Sequence, residues 1–170
     1  MKTISMQRVK TPQQIETTAQ LADRIWHQHY DTLLGVAQVD YMVELLQSVP
    51  AITRQLEQEG YEYYLMELDG QTVGFLGIVP GKEGLFLSKI YVDAAARRQG
   101  VARRAVEFCE ETARQHKLGR VWLTVNRHNS GSIAAYQAMG FVTIREEVAD
   151  IGGGYVMDDY IMEKQVQEEA

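Results

Sequence analysis

The chain has 170 residues, 45% apolar and 24% charged, with three prolines and no low-complexity stretch, which suits a single compact domain over residues 1–170. A net charge of −6 disfavours nucleic acid as a partner, and one cysteine excludes a disulfide framework and, with scattered histidines, a structural zinc site. The start of the chain lacks the apolar core of a signal peptide and no apolar run approaches the ~18 residues of a membrane span, so a soluble cytoplasmic protein is expected.

Ile4, Met6 and Val9 suggest a first strand. Thr11-Pro12 then opens a helix, with an N-cap and a proline in the first turn. Ile15, Ala19, Ala22, Ile25 and Trp26 give it one apolar face, and His27, His29 and Tyr30 lie at its end. His27 and Tyr30, three apart, are expected on one face, with His29 pointing elsewhere. A second helix is expected from Val39 to Gln47, and a short third one from Pro50 toward Gly60.

Beyond Gly60 the pattern turns β-rich. Tyr61–Leu68 and Gln71–Val79 are separated by Asp69-Gly70, a hairpin signal because both residues tolerate positive φ. Leu85–Val92 is a further strand, followed by an arginine-rich segment and an amphipathic helix from Val101 to about Lys117. Val121–Val125 reads as a strand and Ser130–Met139 as a two-turn helix closed by Gly140. Phe141–Val148 and Tyr155–Glu163 are the last strands, joined by a loop of Ile151 and three glycines. A strand, a helix and a second strand from Leu85 to Val125 form a βαβ unit, which implies a parallel pair within a mixed α/β sheet with helices on both faces.

The most informative segment is Arg97-Arg98-Gln99-Gly100-Val101-Ala102. It stands between a strand and a helix, where the first amide N–H groups lack partners and the helix dipole adds positive charge. Gly100 and small Ala102 let a ligand approach the backbone, and Arg97, Arg98, Arg103 and Arg104 concentrate charge in an otherwise acidic chain. These features together suit a pyrophosphate. The stretch Gly77–Glu83 fails as a nucleotide P-loop, being one residue short and ending in Glu, and no G-x-G-x-x-G follows a strand. Cys109 falls among apolar helix positions, where packing is its expected role.

Arg97, Gly100 and Ala102 match R/Q-x-x-G-x-G/A, the acetyl-CoA signature of the GNAT superfamily of N-acetyltransferases, which the chain resembles over almost its whole length. Further on, Asn129, Tyr136 and Gly140-Phe141 match a second pattern of that superfamily. The resemblance implies a mostly antiparallel sheet whose parallel pair splays apart to admit the pantetheine arm of acetyl-CoA. It implies that Ile90, Tyr91 and Val92 bond that arm through their backbone, that residues Arg97 to Arg103, including Gln99 and Val101, hold the pyrophosphate, and that Asn129 meets the pantetheine.

The reaction implied is direct attack of an amine on the thioester, without a covalent enzyme intermediate. The leaving thiolate needs a proton from an acid of pKa ~10 such as a tyrosine, and Tyr136 is the catalytic candidate. Deprotonating a primary ammonium at neutral pH costs roughly 4–5 kcal/mol, so a base or a water chain is also needed. His27, Tyr30, Glu62, Asp158 and Asp159 are candidates, and all but Glu62 are also candidates for substrate contact. Asp158 and Asp159 face opposite sides of a strand, so at least one lies beside apolar surface and needs a partner.

The run Gly154-Tyr155-Val156-Met157-Asp158-Asp159-Tyr160, with the helix end Trp26-His27-x-His29-Tyr30, is similar to bacterial polyamine N-acetyltransferases and their relatives. That likeness implies a cationic small-molecule acceptor. An amino acid, a peptide N-terminus or an aminoglycoside are the other acceptors, and a non-catalytic acyl-CoA sensor is the alternative of another class. Exposed edge strands near the C-terminus could pair two subunits as a homodimer, an arrangement common in folds of that kind.

Overall fold

The computed structural model describes residues 2–167. Its elements in chain order are β1 (Ile4–Arg8), α1 (Pro12–Leu34), α2 (Val36–Leu46), α3 (Val49–Gln58), β2 (Glu62–Leu68), β3 (Gln71–Gly81) and β4 (Gly84–Val92), then α4 (Val101–Gln115), β5 (Arg120–Asn126), α5 (Ser130–Ala138), β6 (Val142–Gly152) and β7 (Tyr155–Gln165). A single 3-10 turn, Ala94–Ala96, separates β4 from the arginine segment. The seven strands are hydrogen-bonded in the order β1-β2-β3-β4-β5-β7-β6, which makes a mixed α/β sheet. Among the described residues, β4 and β5 form its parallel pair, in register at Leu85↔Val121 and Phe86↔Trp122, near the starts of both strands. No described helix is long and apolar enough to cross a membrane.

The chain forms two compact units, one running to Val79 and taking in Lys89–Glu107, the other made of Pro80–Ser88 and the chain from Phe108 onward. In the first, Thr11 caps α1 by accepting from the Gln14 amide at 3.1 Å while the Gln14 side chain accepts from the Thr11 amide at 3.0 Å. This reciprocal box satisfies two amides that a helix start leaves orphaned. Leu21, Ala22, Ile25 and Trp26 of α1 are buried, as are Val39 of α2, Ile52 of α3, and Tyr63, Met66, Phe75 and Leu76 of the hairpin β2–β3. Asp69 and Gly70 turn that hairpin with φ of 51° and 85°, the geometry a tight reversal between twisted strands demands.

In the second unit β5 alternates strictly, with Val121, Leu123 and Val125 buried. Ile161 and Met162 of β7 and Cys109 and Ala113 of α4 are buried too. Phe141, expected to begin β6, precedes it instead and is 1% exposed. β6 itself is longer than its apolar pattern suggests and runs through the first of the three glycines to a reversal at Gly153-Gly154.

Candidate functional site

The first unit places Val92, Ala96, Arg97, Arg98, Gly100, Val101, Ala102 and Arg103 around one cavity of ≈ 170 Å³ at the N-terminal end of α4. Two backbone conformations shape its rim. Arg98 has φ 64° and Gly100 φ 84°, and a left-handed turn at a residue as bulky as arginine costs on the order of 1–3 kcal/mol. A Cβ placed on Gly100 would meet nothing nearer than Ile4 Cδ1 at 4.0 Å, so no protein atom fills that side. Gln99 lies outside the lining, and its amide oxygen accepts from Lys2 Nζ at 2.6 Å.

The entry to this loop is clamped from α1. Arg24 donates to Asp93 through Nη2 at 2.6 Å and Nε at 3.1 Å, and Gln28 accepts from the Ala94 amide at 3.0 Å. Asp93 in turn caps the 3-10 turn by accepting from Ala95 at 3.1 Å. Partial burial works against its charge, but that amide, Arg24 and Gln28 hold the carboxyl below its ordinary range. The end of β4 is also close-packed against β3. A Cβ on Gly74 would come within 2.4 Å of the Tyr91 carbonyl oxygen and 3.2 Å of Val92 Cα, so only glycine fits there.

The C-terminal turns of α1 divide their polar groups differently from the sequence expectation. His27 faces acids: Nδ1 meets Asp31 Oδ1 at 2.5 Å and Nε2 meets Asp40 Oδ1 of α2 at 2.9 Å. With a carboxylate on each ring nitrogen, neither neutral tautomer can donate to both, and the imidazolium is the form that fits. Partial burial opposes the charge, but Asp31, Asp23 and Asp40 outweigh it and raise the pKa.

Tyr30 turns the other way and shares its hydroxyl with Tyr91 at 3.1 Å. His29 lies with Tyr30, its ring 5.9 Å from that of Tyr30 and 5.6 Å from that of Tyr91, while Trp26 packs on Tyr91 at 5.4 Å. The shared face is therefore Trp26, His29 and Tyr30, at i, i+3 and i+4, and His27 is the residue that points elsewhere. Burial first, then the charge of Arg97, push His29 down to about 4, against a bond to the Val92 backbone. His29 is thus a neutral ring at physiological pH. The spacing of these three residues carries the signal, and the helix end conceals it by placing a second histidine beside the first.

Ile90 of β4 is half-buried, and Glu62 of β2 accepts from the Tyr64 hydroxyl at 2.8 Å. In the second unit, Asn129 caps α5, its Oδ1 accepting from the Ser132 amide at 3.3 Å. Tyr136 is half-buried in the last turn of α5, edge-on to Phe141 with ring centroids 5.7 Å apart. The Phe141 amide returns to the Tyr136 carbonyl at 3.0 Å, a reversal that Gly140 permits with φ 98°. Asp158 is paired with Arg127 Nε at 2.7 Å. Asp159 is 8% exposed and stands opposite Asn126 of β5 and Glu147 of β6. Burial drives the Cys109 thiol well above its ordinary range, which leaves it a packing group.

Residues 22–141 match the acetyltransferase (GNAT) family. The chain belongs to that family.

Among its curated relatives, an uncharacterized N-acetyltransferase of Lactobacillus delbrueckii subsp. lactis is 25% identical over 118 residues, covering 65% of this chain and 68% of that protein. The uncharacterized N-acetyltransferase YjgM of Escherichia coli is 33% identical over 88 residues, covering 49% of this chain and 53% of YjgM, so the matched stretch spans about half of that relative. Among solved structures, the PaiA N-acetyltransferase of Thermoplasma acidophilum in complex with coenzyme A superposes with a TM-score of 0.77 at 18% identity, over 96% of this chain and 99% of that one. The ribosomal-protein-S18-alanine N-acetyltransferase of E. coli superposes at 0.70 and 19% identity, over 100% of this chain and 97% of the other.

This GNAT protein is therefore an acetyl-CoA-dependent N-acetyltransferase, with acetyl-CoA as acetyl donor. The cavity at the start of α4 has the chemistry that donor requires: arginine side chains, helix-start amides and an unfilled side at Gly100.

Proposed function

We propose that this protein acetylates a primary amine of a small molecule, with a polyamine as the favoured class of acceptor. The observation that carries the donor half is the cavity at the start of α4, where Arg97, Arg98 and Arg103 surround a glycine at positive φ. Residues Arg97 to Arg103 bind the pyrophosphate in this reading, and the backbone of Ile90, Tyr91 and Val92 receives the pantetheine arm, which Asn129 also meets. The amine nitrogen attacks the thioester carbonyl carbon, a C–N bond forms, and the C–S bond breaks. The ammonium proton leaves first, to solvent or a base; Tyr136 then gives a proton to the departing thiolate and is restored by the proton the nitrogen sheds as the amide forms.

The acceptor half rests on the likeness of the β7 segment and the end of α1 to polyamine acetyltransferases. Tyr30 and His29 are the α1 groups favoured for substrate contact, since His27 is committed to Asp31 and Asp40 and Asp158 to Arg127. A second copy of this chain is the protein partner.

Incubation with acetyl-CoA and a panel of amines, following free thiol, tests this directly. Spermidine-type polyamines are expected among the better substrates. Thiol release with amino acids, peptides or aminoglycosides but with no polyamine would remove the acceptor assignment, while acetyl-CoA binding without release for any amine would make the protein an acyl-CoA sensor.

A further inference from the structure

Strand β6 ends the sheet, and every residue from Val142 to Asp150 is exposed. Three of these are large and apolar: Val142 at 58%, Ile144 at 43% and Val148 at 63%. An outer strand displays a row of backbone N–H and C=O groups that another strand can complete. The pairing of β6 with β7 is regular from Arg145 to Asp150, with irregularities only on either side, so this stretch is an unbroken template. Among the described residues Glu146 is paired with Arg127 at 3.3 Å, whereas Arg145 and Glu147 have no ion pair.

Two copies of one strand can meet antiparallel about a two-fold axis only if one residue faces its own copy. Directly opposite side chains lie on the same face of a sheet, and rotation about an axis normal to the sheet preserves the face. With Glu146 on the axis, Arg145 stands opposite Glu147 of the second copy, a contact made twice. Moving the axis to Glu147 sets Arg145 against Ala149, and moving it to Val148 sets Glu147 against Ala149. Both shifts lose the charge match. The two Glu146 side chains meet at the axis, each beside its own Arg127.

We propose that β6 pairs edge to edge with β6 of a second copy, antiparallel and centred on Glu146, with reciprocal Arg145–Glu147 contacts fixing the register. The proposal rests on the homodimer reading and deepens it. It is independent of acetyl transfer.

Sedimentation equilibrium of the full chain tests it with Arg145→Glu and Glu147→Arg. Each single change places like charges opposite one another twice, so each variant is expected to dimerise on the order of 10-fold or more weakly. The double variant restores the match and is expected to dimerise as the wild type does. An equimolar mixture of the two single variants also pairs every charge with its opposite, so a heterodimer is expected from two poorly associating chains. A monomeric wild type would remove homodimer and interface together; a dimer indifferent to both charge reversals, or a double variant that stays weak, would remove this interface alone. Retained acetyl-CoA binding shows that the variants are folded.

Discussion

His27 and His29 lie two positions apart on α1, yet their surroundings move their protonation in opposite directions. His27 is raised by its acids, so the stability it contributes is present below the unfolded-state value of about 6.5 and is lost as pH rises through the raised pKa. His29 is lowered to about 4, so its neutral form contributes stability above about 6.5 that is lost as pH falls toward 4. Denaturant midpoints measured across that range should rise with pH less steeply in His29→Gln than in the wild type. His27→Gln should instead flatten the decline on the alkaline side, and unchanged profiles in both variants would refute the environments described here. Tyr136 is tested by kinetics. Tyr136→Phe keeps the ring that packs on Phe141 and removes only the acidic hydroxyl, so acetyl-CoA affinity should stay within a few-fold. Its kcat should fall by on the order of 10² if the thiolate takes its proton there, and an unchanged kcat would assign that proton to another donor.

At the scale of elements, the end of β4 is held on two sides. The Arg24–Asp93 pair and the Gln28 contact tie it to α1, and the close approach of Gly74 fixes its distance from β3. A methyl group on Gly74 would collide with backbone atoms, which cannot swing away as a flexible side chain can. Gly74→Ala should therefore cost about 1–3 kcal/mol of stability. Because the displaced residues include Val92, which lines the cavity, it should also weaken acetyl-CoA binding measured by calorimetry. Gly100→Ala separates the two effects. Its Cβ has room, so its penalty comes from the φ of 84° and from the ligand's approach, and the loss should fall on affinity more than on stability.

At the scale of the whole chain, a net charge of −6 coexists with four arginines between residues 97 and 104. In the proposed donor site their attraction for a polyanion is local and screened by salt, since the Debye length shrinks from about 10 Å at 0.1 M to about 3 Å at 1 M. The Kd for acetyl-CoA should rise several-fold over that interval, and much less in Arg97→Ala, whose remaining attraction is smaller. The local patterns that fix these features were readable from sequence: the Thr11 cap, the Asp69-Gly70 reversal, the strict alternation of β5 and the glycine and arginines before α4 each depend on neighbours within a few residues. Those neighbours are always present in the chain, so backbone sterics and helix-end hydrogen bonding determine the outcome wherever the segment lies. The family itself was legible for the same reason, because its motifs are short and keep their spacing. Partners distant in sequence were not legible. That His27 belongs to Asp40 while His29 belongs to Tyr91, that Asp158 is taken by Arg127, and that Gly74 touches the Tyr91 carbonyl were decided only when separate elements packed together. Periodicity tells which residues of a helix share a face, but the charge or ring that face meets comes from elsewhere in the chain, and tertiary packing alone supplies it.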